Sequence, residues 1–185
     1  MTSQSSLLGA AGEHFVMSEL LRRGFIAALA PQGVPNTDIV VTDLEGHRLC
    51  SIQVKTRRHL GSDGGWHMKS KHEKILGDSL FYCFVDFGKT TSDRPQLFIL
   101  PSATIAEILK QTHIYWLNKP GKKGQAHKDT VMRRLLPDYS RLYGEDPTPY
   151  KAGWLEAYRD VWHLLKLDPV DPSKVDDDEA DENQT

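Results

Sequence analysis

Residues 48–56 read Arg-Leu-Cys-Ser-Ile-Gln-Val-Lys-Thr, and this run constrains the chain more than any other. A β-strand turns successive side chains to opposite faces. Leu49, Ser51, Gln53 and Lys55 therefore share one face, and Cys50, Ile52, Val54 and Thr56 the other. The second face suits a core, whereas the first carries an amide and an ammonium. Just upstream, Asp38 to Thr42 is a run dominated by β-branched residues, and Asp43-Leu44-Glu45-Gly46 is a hairpin connection. Closing the hairpin there pairs Thr42 with His47 and Asp38 with Ser51. In that register Gln53 lies one diagonal step from Asp38 on the same face, within reach of a shared ion.

The surrounding pattern supplies a sheet and its covering helices. Ser6 caps a helix over Leu7 to Arg23, Arg22 and Arg23 suit its negative end, and Gly24 takes the left-handed position after it. Phe25 to Ala30, Leu80 to Phe87 and Gln96 to Leu100 read as further strands, and Ser102 caps a helix to about Lys110. A short helix is expected near Lys71 to Leu76, inside a basic, glycine-rich stretch from Arg57 to Lys74. Lys119 to Lys128 reads as a loop. Tyr150 to Leu165 reads as an amphipathic helix with Trp154, Tyr158, Trp162 and Leu165 on one stripe. That stripe is either core or a docking surface. The expected organisation is a core over 1–112, an extension over 113–167 packed on it, and an acidic, disordered tail over 168–185.

Composition removes several classes. The chain has 185 residues, 39% of them hydrophobic and 26% charged, which is enough for one domain with its own core. Two cysteines, Cys50 and Cys83, exclude a disulfide framework or a four-cysteine zinc site. No phosphate-cradling glycine motif of the Walker or dinucleotide type occurs. No run of 18 apolar residues occurs, and Met1-Thr2-Ser3-Gln4 lacks the pattern of a secretory leader, so a cytoplasmic chain without a membrane segment is expected. The net charge of −2 hides an asymmetry. From Asp168 onward eight acids stand against one lysine, a net −7, which leaves +5 on the rest.

One polar residue in the first helix stands out. Glu13 shares a helical face with Gly9, Val16, Met17 and Leu20. A carboxylate on an apolar face is costly unless paired. Gly9, Ala10, Ala11 and Gly12 let this helix approach a sheet closely, and a helix covering the Gln53 face adds Glu13 to Asp38. The alternative is a structural set: Glu13 paired with Arg22 or a neighbour, Asp38 capping a turn, and Lys55 at an exposed strand end. The first arrangement gathers two carboxylates, one amide oxygen and one lysine. Mg²⁺ takes oxygen ligands and keeps several waters, so two or three protein oxygens suffice, and Mn²⁺ is a natural substitute.

Gly9-x-x-Gly12-Glu13, then Asp38, then Gln53-Val54-Lys55 resembles the PD-(D/E)XK nuclease superfamily in its Q-x-K variant. The resemblance covers residues 8 to about 110. It implies an α/β, restriction-endonuclease-like αβββαβ core with a mixed central sheet flanked by helices, to which a C-terminal helical extension is added. It implies Asp38 as the central metal ligand, Gln53 in the second ligand position, Glu13 as the supporting helix carboxylate and Lys55 as the catalytic lysine. Two positions depart from the pattern. Thr37 stands where the family has proline, and Gln53 stands where it usually has an acid. The neutral amide removes one negative charge, which lowers metal affinity.

Basic residues lead out of this cluster. Lys55, Arg57, Arg58 and His59 lead out of it, then come Lys69, Lys71, His72 and Lys74, and a second group holds Lys119, Lys122, Lys123, His127, Lys128, Arg133 and Arg134. Such groups suit a phosphate backbone, and Arg57, Arg58, Lys69, Lys71, Lys122 and Lys123 are the expected nucleic-acid contacts. Trp66 either stacks on a base or packs on the domain. The expected function is Mg²⁺-dependent hydrolysis of DNA phosphodiester bonds, with a homodimer implied if both strands are cut. Two alternatives remain: a nuclease-fold module that binds DNA without cutting, and an interaction protein that docks through the C-terminal aromatic helix.

Overall fold

The computed structural model describes residues 4–43, 45–58, 64–121 and 123–169. Helix α1 spans Gln4–Leu21, followed by strands β1 (Ile26–Leu29), β2 (Ile39–Thr42), β3 (Leu49–Arg57), β4 (Trp66–Lys69), β5 (Leu80–Asp86) and β6 (Gln96–Pro101). Helix α2 (Ser102–Asn118), strand β7 (Met132–Leu135) and helix α3 (Ser140–Tyr143) complete the regular elements, with 3-10 turns at Ser70–Glu73, Trp154–Tyr158 and Trp162–Leu165. The main sheet has the order β1-β2-β3-β5-β6. Only β3 and β5 run parallel; every other neighbouring pair is antiparallel. The fold is therefore the mixed α/β sheet flanked by helices that the family resemblance implies.

Helix α1 buries Gly12, Val16 and Leu20, a stripe at four-residue spacing. Gly24 follows in a left-handed conformation, φ 80°, and the Phe25 amide donates to the Leu20 carbonyl, which turns the chain into β1. The sheet has a core on each face. On the α1 side Val16, Leu20, Ile39, Val41, Cys50, Ile52, Val54, Cys83 and Val85 pack together. On the α2 side Tyr82, Phe84, Phe98, Leu100, Ile105 and Leu109 join Trp66 and Leu135. Strand β5 is buried at nearly every position, as a central strand covered on both faces must be.

Four local expectations need correction. The β2–β3 hairpin closes two residues later than its turn residues imply: Thr42 pairs with Leu49 and Ile39 with Ile52. The Asp43 carboxylate accepts from the His47 amide and the Thr42 hydroxyl donates to the Arg48 carbonyl, so the loop runs through Arg48. A two-residue shift keeps every side chain on its expected face. Second, the stretch after Arg57 is not all loop, because β4 forms within it and pairs with β7. The crossover joining parallel β3 and β5 holds β4 and a single 3-10 turn at Ser70–Glu73, so the short helix expected near Lys71 to Leu76 starts one residue earlier and ends at Glu73. Third, α2 runs on to Asn118, past its expected end near Lys110.

Fourth, the single amphipathic helix over Tyr150 to Leu165 does not form. Asp160 takes φ 50°, its amide donates to the Leu97 carbonyl, and Arg159 bridges to Phe98 on the sheet edge. The chain thereby crosses the β6 edge. Leu155 joins the α2-side core, with Trp154 and Tyr158 packed against it, whereas Trp162 and Leu165 join the α1-side core. The stripe is core, but divided between two faces. His59 and the tail beyond 169 lie outside the described residues.

Candidate functional site

Strand β2 stops at Ile39, opposite Ile52, while β3 continues to Arg57. The far half of β3 has β5 on one side and an opening on the other. Asp38 sits at the rim of that opening and is held by three bonds. Its amide donates to the Ile52 carbonyl at 2.8 Å, its carbonyl accepts from the Ala30 amide at 2.9 Å, and its Oδ2 accepts from the Val54 amide at 2.7 Å. The carboxylate thus takes the Val54 donor that a continued β2 would have satisfied. Its Oδ1 has no hydrogen-bond partner among the described residues.

Gln53 and Lys55 follow on β3. In the parallel register Gln53 lies beside Tyr82 and Lys55 beside Phe84. They therefore stand on the α2 side of the sheet. This corrects the expectation that α1 covers their face: α1 packs on the opposite one, against Ile52 and Val54. Gln53 is buried, and its Oε1 has no hydrogen-bond partner among the described residues. An orphaned buried acceptor is costly in a structural role, and it is what a cation ligand provides.

Glu13 nonetheless reaches the cluster, because the opening beyond Ile39 connects the two faces. Glu13 and Asp38 line one hollow of about 470 Å³, together with Ser6, Gly9 and the loop from Leu29 to Val34. The close approach depends on Gly12, where a Cβ would lie 1.9 Å from Thr56 Oγ1. At Gly9 an added Cβ would meet open space, so that glycine faces the hollow. Arg22 is committed to Glu19 at 2.9 Å, so it is not the partner of Glu13.

The charges interact as a group. Burial, and then the Asp38 carboxylate, push the Glu13 pKa up, against smaller opposing effects of His14 and Lys55. Burial pulls the Lys55 pKa down; Asp38 and Glu13 oppose this, while Lys71 and Lys69 add to it. The Glu13 and Asp38 carboxylates and the desolvated Lys55 ammonium thus act on one another, and Gln53 lies two residues before Lys55 on the same strand face. Among the described residues no group of three or more His, Cys, Asp and Glu side chains could hold a metal ion.

Two residues near the cluster carry no signal in the sequence spacing. His72 is buried, with Nδ1 2.8 Å from the Tyr82 hydroxyl, and burial together with Lys55, Lys71 and Lys69 lowers its pKa to about 4. It stands behind Gln53 through Tyr82, a placement that arises only when β5 pairs with β3. Asn36 takes φ 61° and accepts from Lys71 Nζ at 2.8 Å, tying the loop before Asp38 to the turn after β4.

The expected nucleic-acid contacts divide. Lys69 and Lys71 are exposed, and their electrostatic effect on Lys55 places them near it. Arg58 is half-buried and donates to the Lys89 carbonyl, and Lys123 is exposed. Lys122 lies outside the described residues. Arg57 is a correction: its guanidinium lies over the Trp66 ring and pairs with Asp86, with the two side chains only 11% and 9% exposed. It is a buried structural cation. Trp66 is likewise fully buried, donating Nε1 to the Val85 carbonyl at 3.0 Å. A larger hollow of about 670 Å³, between α2, β7 and α3, contains none of the sequence-derived site residues.

No family model matches the chain, and no curated protein matches it. Solved structures do. The chain is similar to the structure of a bacterial homing endonuclease, I-Ssp6803I, at 15% identity, over 88% of this chain and 93% of that one, with a TM-score of 0.50. A Holliday junction resolvase of Archaeoglobus fulgidus, Hjc, aligns at 17% identity over 69% of this chain and 82% of that one, with a TM-score of 0.39. Among the described residues no helix is long and apolar enough to cross a membrane. The likeness to the homing endonuclease establishes a nuclease-type fold for this chain.

Proposed function

We propose that this protein is a Mg²⁺-dependent DNA endonuclease of the PD-(D/E)XK type, acting on DNA in the cytoplasm. The observation that carries the reading is the buried, unpartnered Gln53 Oε1 beside a carboxylate held by the Val54 amide. Asp38 and Gln53 Oε1 would hold the ion, with Glu13 supporting it. When bound, a divalent ion polarises a phosphoryl oxygen and lowers the pKa of its water. The remaining work falls to the chain. The Val54 amide fixes the Asp38 carboxylate, so no reorganisation is needed during reaction. Lys55, partly desolvated, offsets the negative charge that grows on the phosphoryl oxygens as water attacks phosphorus and the leaving oxygen departs. Its ammonium interacts more strongly there than it would in bulk water. Cutting both strands at once would suit a homodimer.

A second reading has its own observation. The cluster holds only two carboxylates, so a DNA-binding module with little or no cleavage fits the same fold. Calorimetric titration of Mn²⁺ and Mg²⁺, with and without a non-cleavable duplex, followed by plasmid nicking, separates the two. Saturable metal binding and nicking that both vanish in Asp38→Asn support the nuclease. Duplex binding without metal uptake or nicking supports the module.

A further inference from the structure

The β4–β7 ribbon is independent of the metal cluster, yet lies against it. Its register pairs His67 with Arg134 and Lys69 with Met132. Burial alternates along both strands. Trp66, Met68, Arg133 and Leu135 point into the protein, while His67, Lys69, Met132 and Arg134 face out. The inner row anchors the ribbon firmly. Trp66 packs edge-on against Phe84 and Phe98, and Arg133 pairs with Glu73. The outer row holds a lysine, an arginine, a histidine and a methionine that is 46% exposed. At one end of it, just after Lys69, Lys71 Nζ donates to Asn36 Oδ1 at 2.8 Å, two residues before Asp38.

We propose that the outer face of this ribbon enters the major groove of duplex DNA beside the scissile phosphate. In this arrangement Lys69 and Arg134 meet phosphates and Met132 meets base edges. The proposal rests on the nuclease reading and specifies its substrate as a B-form duplex. A two-stranded ribbon fits the major groove of B-DNA, whereas the deep, narrow major groove of an RNA duplex does not admit one. Two cations flanking an apolar side chain match phosphates flanking base edges, where thymine offers a methyl group. The buried inner row pre-organises the face, so little ordering is needed on binding.

The test is fluorescence anisotropy of the full chain with a labelled mixed-sequence duplex across a salt series. It compares the parent with the double variant Lys69→Gln/Arg134→Gln and with Met132→Ala. These side chains are exposed, and thermal melts establish that each variant folds. The double variant should bind roughly 10–100-fold more weakly, with the slope of log affinity against log salt reduced by about 2. Met132→Ala should keep the slope but recover different bases from a randomised duplex pool. The proposal is overturned if the double variant binds as tightly as the parent with the same slope. It is also overturned if Met132→Ala recovers the same bases, or if an RNA duplex competes as well as DNA. A parent that binds duplex without cutting, and whose variants behave as expected, sinks the nuclease reading and leaves the ribbon standing. A parent that binds no duplex sinks both.

Discussion

The Val54 amide donates to Asp38 Oδ2 at 2.7 Å, across the point where β2 has ended and β3 runs on. One oxygen of the carboxylate thus completes the sheet, and the other makes no hydrogen bond to a described residue. The two roles separate by substitution. Asp38→Asn keeps an oxygen for the Val54 donor, so the melting temperature should stay close to that of the parent while metal-dependent nicking falls at least about 100-fold. Asp38→Ala should also lose nicking, and in addition leave a buried amide unpaired at a cost of about 1–3 kcal/mol. Thermal melts beside a nicking assay check both.

Gln53 presents the opposite trade. Its buried Oε1 has no partner, so the folded protein gains nothing from it. Gln53→Leu should leave stability unchanged or raise it by about 1 kcal/mol, and should weaken Mn²⁺ binding. Gln53→Glu restores a charge and should tighten Mn²⁺ binding by about tenfold. Denaturant midpoints and calorimetric titration read the two effects independently. A large loss of stability in Gln53→Leu would show that the oxygen is structural.

The contact between Gly12 and Thr56 sets how closely α1 lies on the sheet, and so where Glu13 reaches. Gly12→Ala drives a methyl group into the Thr56 side chain and should cost about 1–3 kcal/mol. Thr56→Ala removes the clashing hydroxyl, which is itself buried without a partner, so the double variant should recover much of the loss. A double-mutant cycle by urea denaturation measures the coupling.

His72 makes stability depend on acid. Its folded pKa of about 4 lies below the ordinary histidine value of 6.5. Between those limits the unfolded chain binds a proton that the folded chain refuses, so stability falls as pH drops through the window. The loss between pH 7 and pH 5 should be about 2 kcal/mol, and His72→Gln should flatten it. Urea midpoints at the two pH values decide.

Cleavage should be confined from both sides. The raised Glu13 pKa keeps its proton to a higher pH than an ordinary glutamate, so the acid limb should be displaced upward. The lowered Lys55 pKa removes its charge at a lower pH than an ordinary lysine, so the alkaline limb should arrive early. Single-turnover rates across pH read both limbs, and Glu13→Gln should remove the acid limb and move the alkaline one lower, because the Glu13 charge helps keep Lys55 protonated.

Much of the site is legible in the chain because it rests on local rules. Alternation along residues 49–56 puts Gln53 and Lys55 on one face whatever the register, and a two-residue error in the hairpin leaves that unchanged. Four-residue spacing puts Gly12, Val16 and Leu20 on the buried stripe of α1 and Glu13 beside it. Other features come from contacts between distant segments, which no local pattern encodes. Strand β4 exists because β7, more than 60 residues on, pairs with it, and Arg57 is buried because Asp86 and Trp66 close around it. Similarly, His72 becomes an inner neighbour only when parallel β5 brings Tyr82 beside Gln53. The stripe over 154–165 has helical spacing, but the β6 edge offers backbone partners that break the helix and send its aromatics to two faces. The sequence by itself determined which residues share a strand face or a helix stripe, because those periods belong to the backbone. Only the tertiary structure decided which faces meet, because that choice is made by the burial of apolar surface and the pairing of polar groups across the whole chain.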